Sequence, residues 1–243
     1  MNYTDIIKTV KSRGYWEILF EPTVYQVDKI PLNKCREVVE NNSVRLRGWD
    51  YPHIPKRTGD DTAFEVGNNY WQGWLDWKGE SHKELWRMCQ STQFIHCLCL
   101  WEDWADNFIV RSMWRKDDEV FKPGEALGVI STTYLITEIY EFLTRLVKDG
   151  LYSEGVTVSL SINNTLGRQL TIESFSRMDF SVPMKTSSKT LTFKKSYTAA
   201  DIEGSAKELA LEAIVHFFER FGWSSPNINV IKYDQENLIS GKF

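Results

Sequence analysis

Residues 128–163, GVISTTYLITEIYEFLTRLVKDGLYSEGVTVSLSIN, hold both of the periodicities from which the fold class is read. Leu135, Ile139, Phe142, Leu143 and Leu146 recur at helical spacing, with Glu138, Glu141, Arg145 and Lys148 opposite. That pattern predicts an amphipathic helix over 128–148 with its charged stripe in water. Gly150 suits its end. Val156, Val158, Leu160 and Ile162 then alternate with Thr157, Ser159 and Ser161, the period-two signature of a half-buried strand. Asn163-Asn164-Thr165-Leu166-Gly167 reads as the turn of a hairpin whose second arm carries Leu170 and Ile172. Leu191 and Phe193 mark a further strand, and Ser205 to Phe221 a second amphipathic helix.

Upstream, Trp16, Ile18 and Phe20 alternate with Glu17 and Glu21 in an opening strand, and Pro31 to Glu40 carries a short helix. Tyr70 to Trp77 and Phe94 to Trp101 are aromatic runs of strand length, with Glu84 to Gln90 a further strand or a helical turn between them. Strands grouped with strands and helices between the groups predict an α+β fold, antiparallel sheets covered on one side by amphipathic helices. Nine of the ten tryptophans precede Lys122. The charged run 115–124, closing on Pro123-Gly124, predicts a boundary between a Trp-rich β-α-β sub-domain (1–122) and an α-β-β-β-α sub-domain (123–243), together one compact unit.

A chain of 243 residues with 42% hydrophobic and 26% charged side chains buries a core without disulfides or metal. Cys35, Cys89, Cys97 and Cys99 lie in apolar or helical runs and read as reduced core residues, and the start of the chain carries no secretory pattern. The expected location is cytoplasmic. Glu138, Glu141 and Arg145 interrupt the most apolar window, so no membrane partner is expected. The net charge of −4 gives no overall attraction for nucleic acid.

Phosphate-cradling glycine loops and the Gly-x-Ser-x-Gly elbow are missing from the sequence, and no cofactor or metal is expected. Cys89, Cys97 and Cys99 are read as packing and not as thiolate ligands, because two of them alternate along a strand. His82 and Glu84 share a face if extended and read as solvated polar residues at a strand end; His216 reads as a surface residue between Glu212 and Arg220.

Val44 to Arg57 is the candidate recognition segment. Arg45 and Arg47 offer bidentate donors, Trp49 and Tyr51 flat faces, Asp50 and His53 polar contacts, and Pro52 and Pro55 stiffness. In the blander reading, Arg45 and Arg47 merely pair with local acids such as Asp50, Asp60 and Asp61. A metal-dependent hydrolase or nuclease built from Asp50, His53, Asp60 and Asp61 is the rival function. A structural assembly subunit is a third. The stretch from Arg168 to Lys195, with Lys189 and Lys194, is a candidate polyanion surface if the partner is nucleic acid and not a protein.

Arg13-Gly14-Tyr15-Trp16, Val44 to His53 (VRLRGWDYPH) and Gln90 to His96 (QSTQFIH) together resemble segments of a family of uncharacterised prokaryotic proteins. The resemblance extends through Gly150-Leu151-Tyr152, Asn163 to Arg168 and Glu208 to Glu212. Similar segments occur beside AlbA-like ATP-binding modules, so the resemblance implies a prokaryotic cytosolic protein in a nucleic-acid or defence setting and carries no activity with it. The leading expectation is a non-enzymatic recognition or adaptor protein.

Overall fold

The computed structural model describes residues 3–55, 63–77, 82–105 and 107–242. A seven-stranded antiparallel sheet runs in the order β11-β9-β1-β5-β4-β3-β2. Its strands are β1 (Tyr15–Pro22), β2 (Phe64–Val66), β3 (Tyr70–Asp76), β4 (Lys83–Cys89), β5 (Phe94–Cys99), β9 (Val156–Asn163) and β11 (Thr190–Tyr197). Because strands alternate their side chains, the register puts Trp16, Ile18 and Phe20 on one face with Phe94, His96, Leu98, Trp86, Leu160 and Phe193. That face meets α2 (Leu32–Asn42), α3 (Val129–Lys148) and α4 (Ala199–Arg220) in one hydrophobic core. α5 (Ile228–Ser240) adds Ile231 to it. The α+β class and the antiparallel sheet packed with helices are as expected.

Four features differ from expectation. The sheet takes strands from both sides of residue 122, so the run before Pro123-Gly124 does not divide it. The predicted hairpin is absent among the described residues: β9 pairs with β1 and β11, while β10 (Gln169–Thr171) leaves the sheet and pairs in parallel with β8 (Ala126–Gly128). An opening helix, α1 (Tyr3–Lys11), covers part of the other face, burying Ile6 and Val10 against Leu85 and Cys97, so the helices do not lie on one side only. Glu138 lies in the charged stripe of α3 yet is fully buried, because Arg47 arrives from a distant loop to pair with it. The remaining short strands, β6 (Phe108–Val110) and β7 (Glu119–Phe121), form a ribbon of their own. No helix among the described residues is long and apolar enough to cross a membrane.

Helix ends are built as the physics of unpaired backbone groups requires. Thr198 caps α4 in a reciprocal box with Asp201, and Gly150, at φ 85°, closes α3 in the left-handed conformation. The start of α3 has no local side-chain cap; a carboxylate from a distant segment takes that place, as described below.

Cys97 and Cys99 are 2% and 5% exposed, and burial pushes both thiols up to about 12. Neither is expected to react with a maleimide in the native protein at neutral pH, since the reactive thiolate is scarce and shielded. Mass spectrometry after brief labelling checks this, and rapid modification of either residue without unfolding would contradict their burial.

Candidate functional site

A pocket of about 500 Å³ opens where the start of α3 meets the ends of β1 and β5. Four indoles line it: Trp16, Trp49, Trp77 and Trp101. Trp16 is buried at the inner wall, edge-on to Phe217, while Trp49 and Trp101 are 44% and 41% exposed. Leu98, Leu100, Leu127, Ile130 and Leu135 complete an apolar wall. The size and the mostly apolar lining are those of small-molecule sites, in which a few fixed polar groups set orientation.

Those polar groups come from three places. The first is a single 3-10 turn, Trp101–Asp103, following β5. Its Glu102 is 2% exposed; Oε1 accepts from the Gly128 amide at 2.9 Å and lies 3.4 Å from the Ser131 hydroxyl. Glu102 Oε2 has no hydrogen-bond partner among the described residues. Burial, helped by the neighbouring Glu173 carboxylate, raises the Glu102 carboxyl to about 7 against the pull of the Gly128 amide and Arg168.

The second is the start of α3. Glu173, two residues beyond β10, accepts from the Ile130 amide at 2.8 Å, the Ser131 amide at 3.1 Å and the Ser131 hydroxyl at 2.7 Å. A carboxylate there satisfies amides that the helix leaves open and meets the positive end of its dipole. A side chain at Gly128 would collide with the Glu173 carboxylate, so glycine is what lets Glu173 approach this terminus. Thr132 also lines the pocket, and its buried hydroxyl has no partner among the described residues.

The third is a histidine-carboxylate group at the start of β4. Glu84, 2% exposed, accepts from the His53 backbone amide at 2.5 Å and from His82 Nε2 at 2.9 Å, with His96 Nε2 at 3.6 Å. Burial opposes the charge on Glu84, but His96 and His82 outweigh it and hold the carboxyl well below its usual range. With Glu84 accepting at Nε2, the neutral His82 ring carries its proton there, leaving Nδ1 as its basic nitrogen. The His53 ring packs near Trp77 and His82, and burial lowers its pKa. Glu84 is therefore not the solvated strand-end residue that its charge suggests.

Of the recognition segment, Arg47, Trp49 and His53 reach the pocket. The Val44–Tyr51 bridge closes the loop that carries them. Arg47 pairs with Glu138 and lies over Trp49, 5.1 Å from the ring centroid, instead of pairing with Asp50. Arg45 is exposed and donates to the Gly48 carbonyl at 2.9 Å, so it turns back onto its own loop. Tyr51 points into the core, its hydroxyl 3.2 Å from His96 Nδ1 and its ring against Phe142. Asp50 is buried. Asp60 and Asp61 lie outside the described residues, as do Lys56 and Arg57. Among the described residues no three His, Cys, Asp or Glu side chains are grouped to hold a metal ion.

The polyanion surface changes most. Arg168 is 1% exposed and forms a buried, bidentate pair with Asp103, so it cannot meet a polyanion. Arg177 pairs with Asp234 and Lys195 with Glu212 of α4, on the opposite face of β11 from Lys194. Lys189 and Lys194 remain exposed, the latter 3.6 Å from Glu21. His216 is tied by Nε2 to the Thr192 carbonyl at 2.9 Å rather than joining a charge ladder.

Glu102, Ser131, Thr132 and Glu173 are the pocket residues that sequence reasoning passed over. Their available signal is the acid pair between tryptophans in Trp101-Glu102-Asp103-Trp104, directly after an apolar strand. Comparison with known proteins finds no matching family model, no matching curated protein and no matching solved structure.

Proposed function

We propose that this chain is a recognition protein that holds a small planar molecule between the indoles of the pocket. The observation carrying this reading is a largely apolar pocket of about 500 Å³ lined by four indoles, two of them exposed. Trp49 and Trp101 at the exposed side supply flat surfaces suited to a ring.

Among the described residues, carboxylates outnumber permanent cations around the pocket. Glu102 and Glu173 line it, Glu84 and Glu138 stand behind its histidines and Arg47, and Glu138 already neutralises Arg47. This balance favours a neutral or cationic ligand over an anionic one.

Titration with indole, quinoline, benzimidazole and naphthalene, followed by tryptophan fluorescence and thermal shift, tests the reading. At least one is expected to bind stoichiometrically, quenching fluorescence and raising Tm. In Ile130→Trp, where the new indole occupies the pocket, binding should fall at least tenfold. Failure of all four to bind, or undiminished binding by that variant, would remove the pocket as the site.

A further inference from the structure

His82 presents one ring nitrogen to the protein and the other to the pocket. Its Nε2 donates to Glu84 Oε2 at 2.9 Å, and Glu84 lies behind the wall without lining the pocket. The ring edge bonded to Glu84 is therefore the far edge, and the near edge carries Nδ1. The side chain is 27% exposed and stands beside Trp77 and His53, which also line the pocket, with centroids 5.5 Å and 6.2 Å away. Whereas Glu102 Oε2 and His96 Nε2 are shut in without partners, His82 Nδ1 is neither hydrogen-bonded among the described residues nor buried. A neutral imidazole that donates through one nitrogen accepts through the other, so the ionised Glu84 fixes Nδ1 as an acceptor.

Resting on the pocket reading above, we infer that the ligand is an aromatic alcohol, its flat ring against the indoles and its hydroxyl donating to His82 Nδ1. An apolar, indole-lined pocket selects an aromatic ring over an aliphatic chain. An acceptor nitrogen with a carboxylate behind it selects an acidic proton, and O–H donors form shorter bonds than N–H donors. A carboxylic acid is the stronger acid, but at neutral pH it arrives ionised, with no proton to donate, at a wall where carboxylates already outnumber cations among the described residues. A phenolic hydroxyl keeps its proton at neutral pH, so it enters uncharged and still donates. An aryl ether of similar shape offers only lone pairs, which an acceptor nitrogen cannot meet.

Isothermal titration at neutral pH with 2-naphthol, 2-methoxynaphthalene, naphthalene and 2-naphthoate tests the assignment. 2-Naphthol should bind about tenfold more tightly than the methoxy compound and naphthalene, the scale of one net hydrogen bond, and 2-naphthoate should bind more weakly than 2-naphthol. In His82→Phe, which keeps a flat ring without nitrogens, the advantage of 2-naphthol should vanish while naphthalene still binds. A merely structural role for His82 would weaken all the compounds alike and leave their ratio unchanged, and that result overturns the assignment. So does equal binding of 2-naphthol and 2-methoxynaphthalene by the wild type, or tighter binding of the naphthoate, and in either case the pocket reading survives. The wild-type comparison decides the matter even if the variant does not fold. No binding of any of the four compounds overturns both readings.

Discussion

Asp103→Ala is expected to cost about 3–5 kcal/mol of stability, the range for removing one partner of a buried ion pair. Asp103 accepts from the Gly14 amide at 2.7 Å, the Gly124 amide at 2.8 Å and both terminal nitrogens of Arg168. Arg168, 1% exposed, also donates to the carbonyls of Asn164 at 3.0 Å and Ala126 at 2.8 Å. Without Asp103 the guanidinium keeps its burial and loses its counter-charge, and two amides lose their acceptor. A side chain at Gly14 would strike Arg168 and Asp103, so that glycine belongs to the same arrangement. Urea denaturation measures the effect, and a midpoint within experimental error of wild type would refute it. A compensated Asp103→Leu, Arg168→Met pair should recover much of the loss. Burial opposes the charge on Asp103, but Arg168 and the two amides outweigh it and hold the carboxyl below its usual range. A depressed carboxyl stabilises the fold above the ordinary carboxylate range, and that contribution disappears as pH falls through the depressed value.

Phe217→Ala is the second large effect, also about 3–5 kcal/mol on the scale of buried aromatic truncations. Phe217 on α4 is fully buried and stands edge-on to Trp16 of β1, with centroids 5.1 Å apart. The cavity left behind would also loosen Trp16, the inner wall of the pocket. Stability and probe affinity should therefore fall together. A denaturation midpoint equal to wild type would show that α4 does not pack on the sheet through this residue.

Elements whose burial follows a regular period were legible. The alternation of Trp16, Ile18 and Phe20, and of Val156 to Ile162, marks strands, and the apolar stripe of 128–148 marks α3. Partners were not legible. Asn163 to Gly167 has the composition of a hairpin turn, yet the chain leaves the sheet there, and β9 finds β1 and β11 instead. Buried charges were misread for a related reason. Glu102, Glu138 and Arg168 look solvated to a local reading because the groups that compensate them lie far along the chain, 91 residues away for Glu138 and Arg47. Three residues of the recognition segment, Arg47, Trp49 and His53, line the pocket. Trp49 and His53 reach the pocket, while Tyr51, equally aromatic, satisfies its hydroxyl against buried His96.

The turn Trp101–Asp103 sets neighbouring carboxylates to separate tasks, Glu102 at the pocket wall and Asp103 on the buried arginine. Both are laced to the same short segment, through the amides of Gly124 and Gly128 and, by way of Arg168, the Ala126 carbonyl. A ligand of the proposed kind would meet a wall whose order precedes its arrival, and its association would need little further ordering of the protein. Differences among ligands should then register as residence times more than as encounter rates. The adaptable part of the site is its rim. A descendant of this chain that switched ligands would do so most readily at Trp49 and Trp101, inheriting the laced wall unchanged.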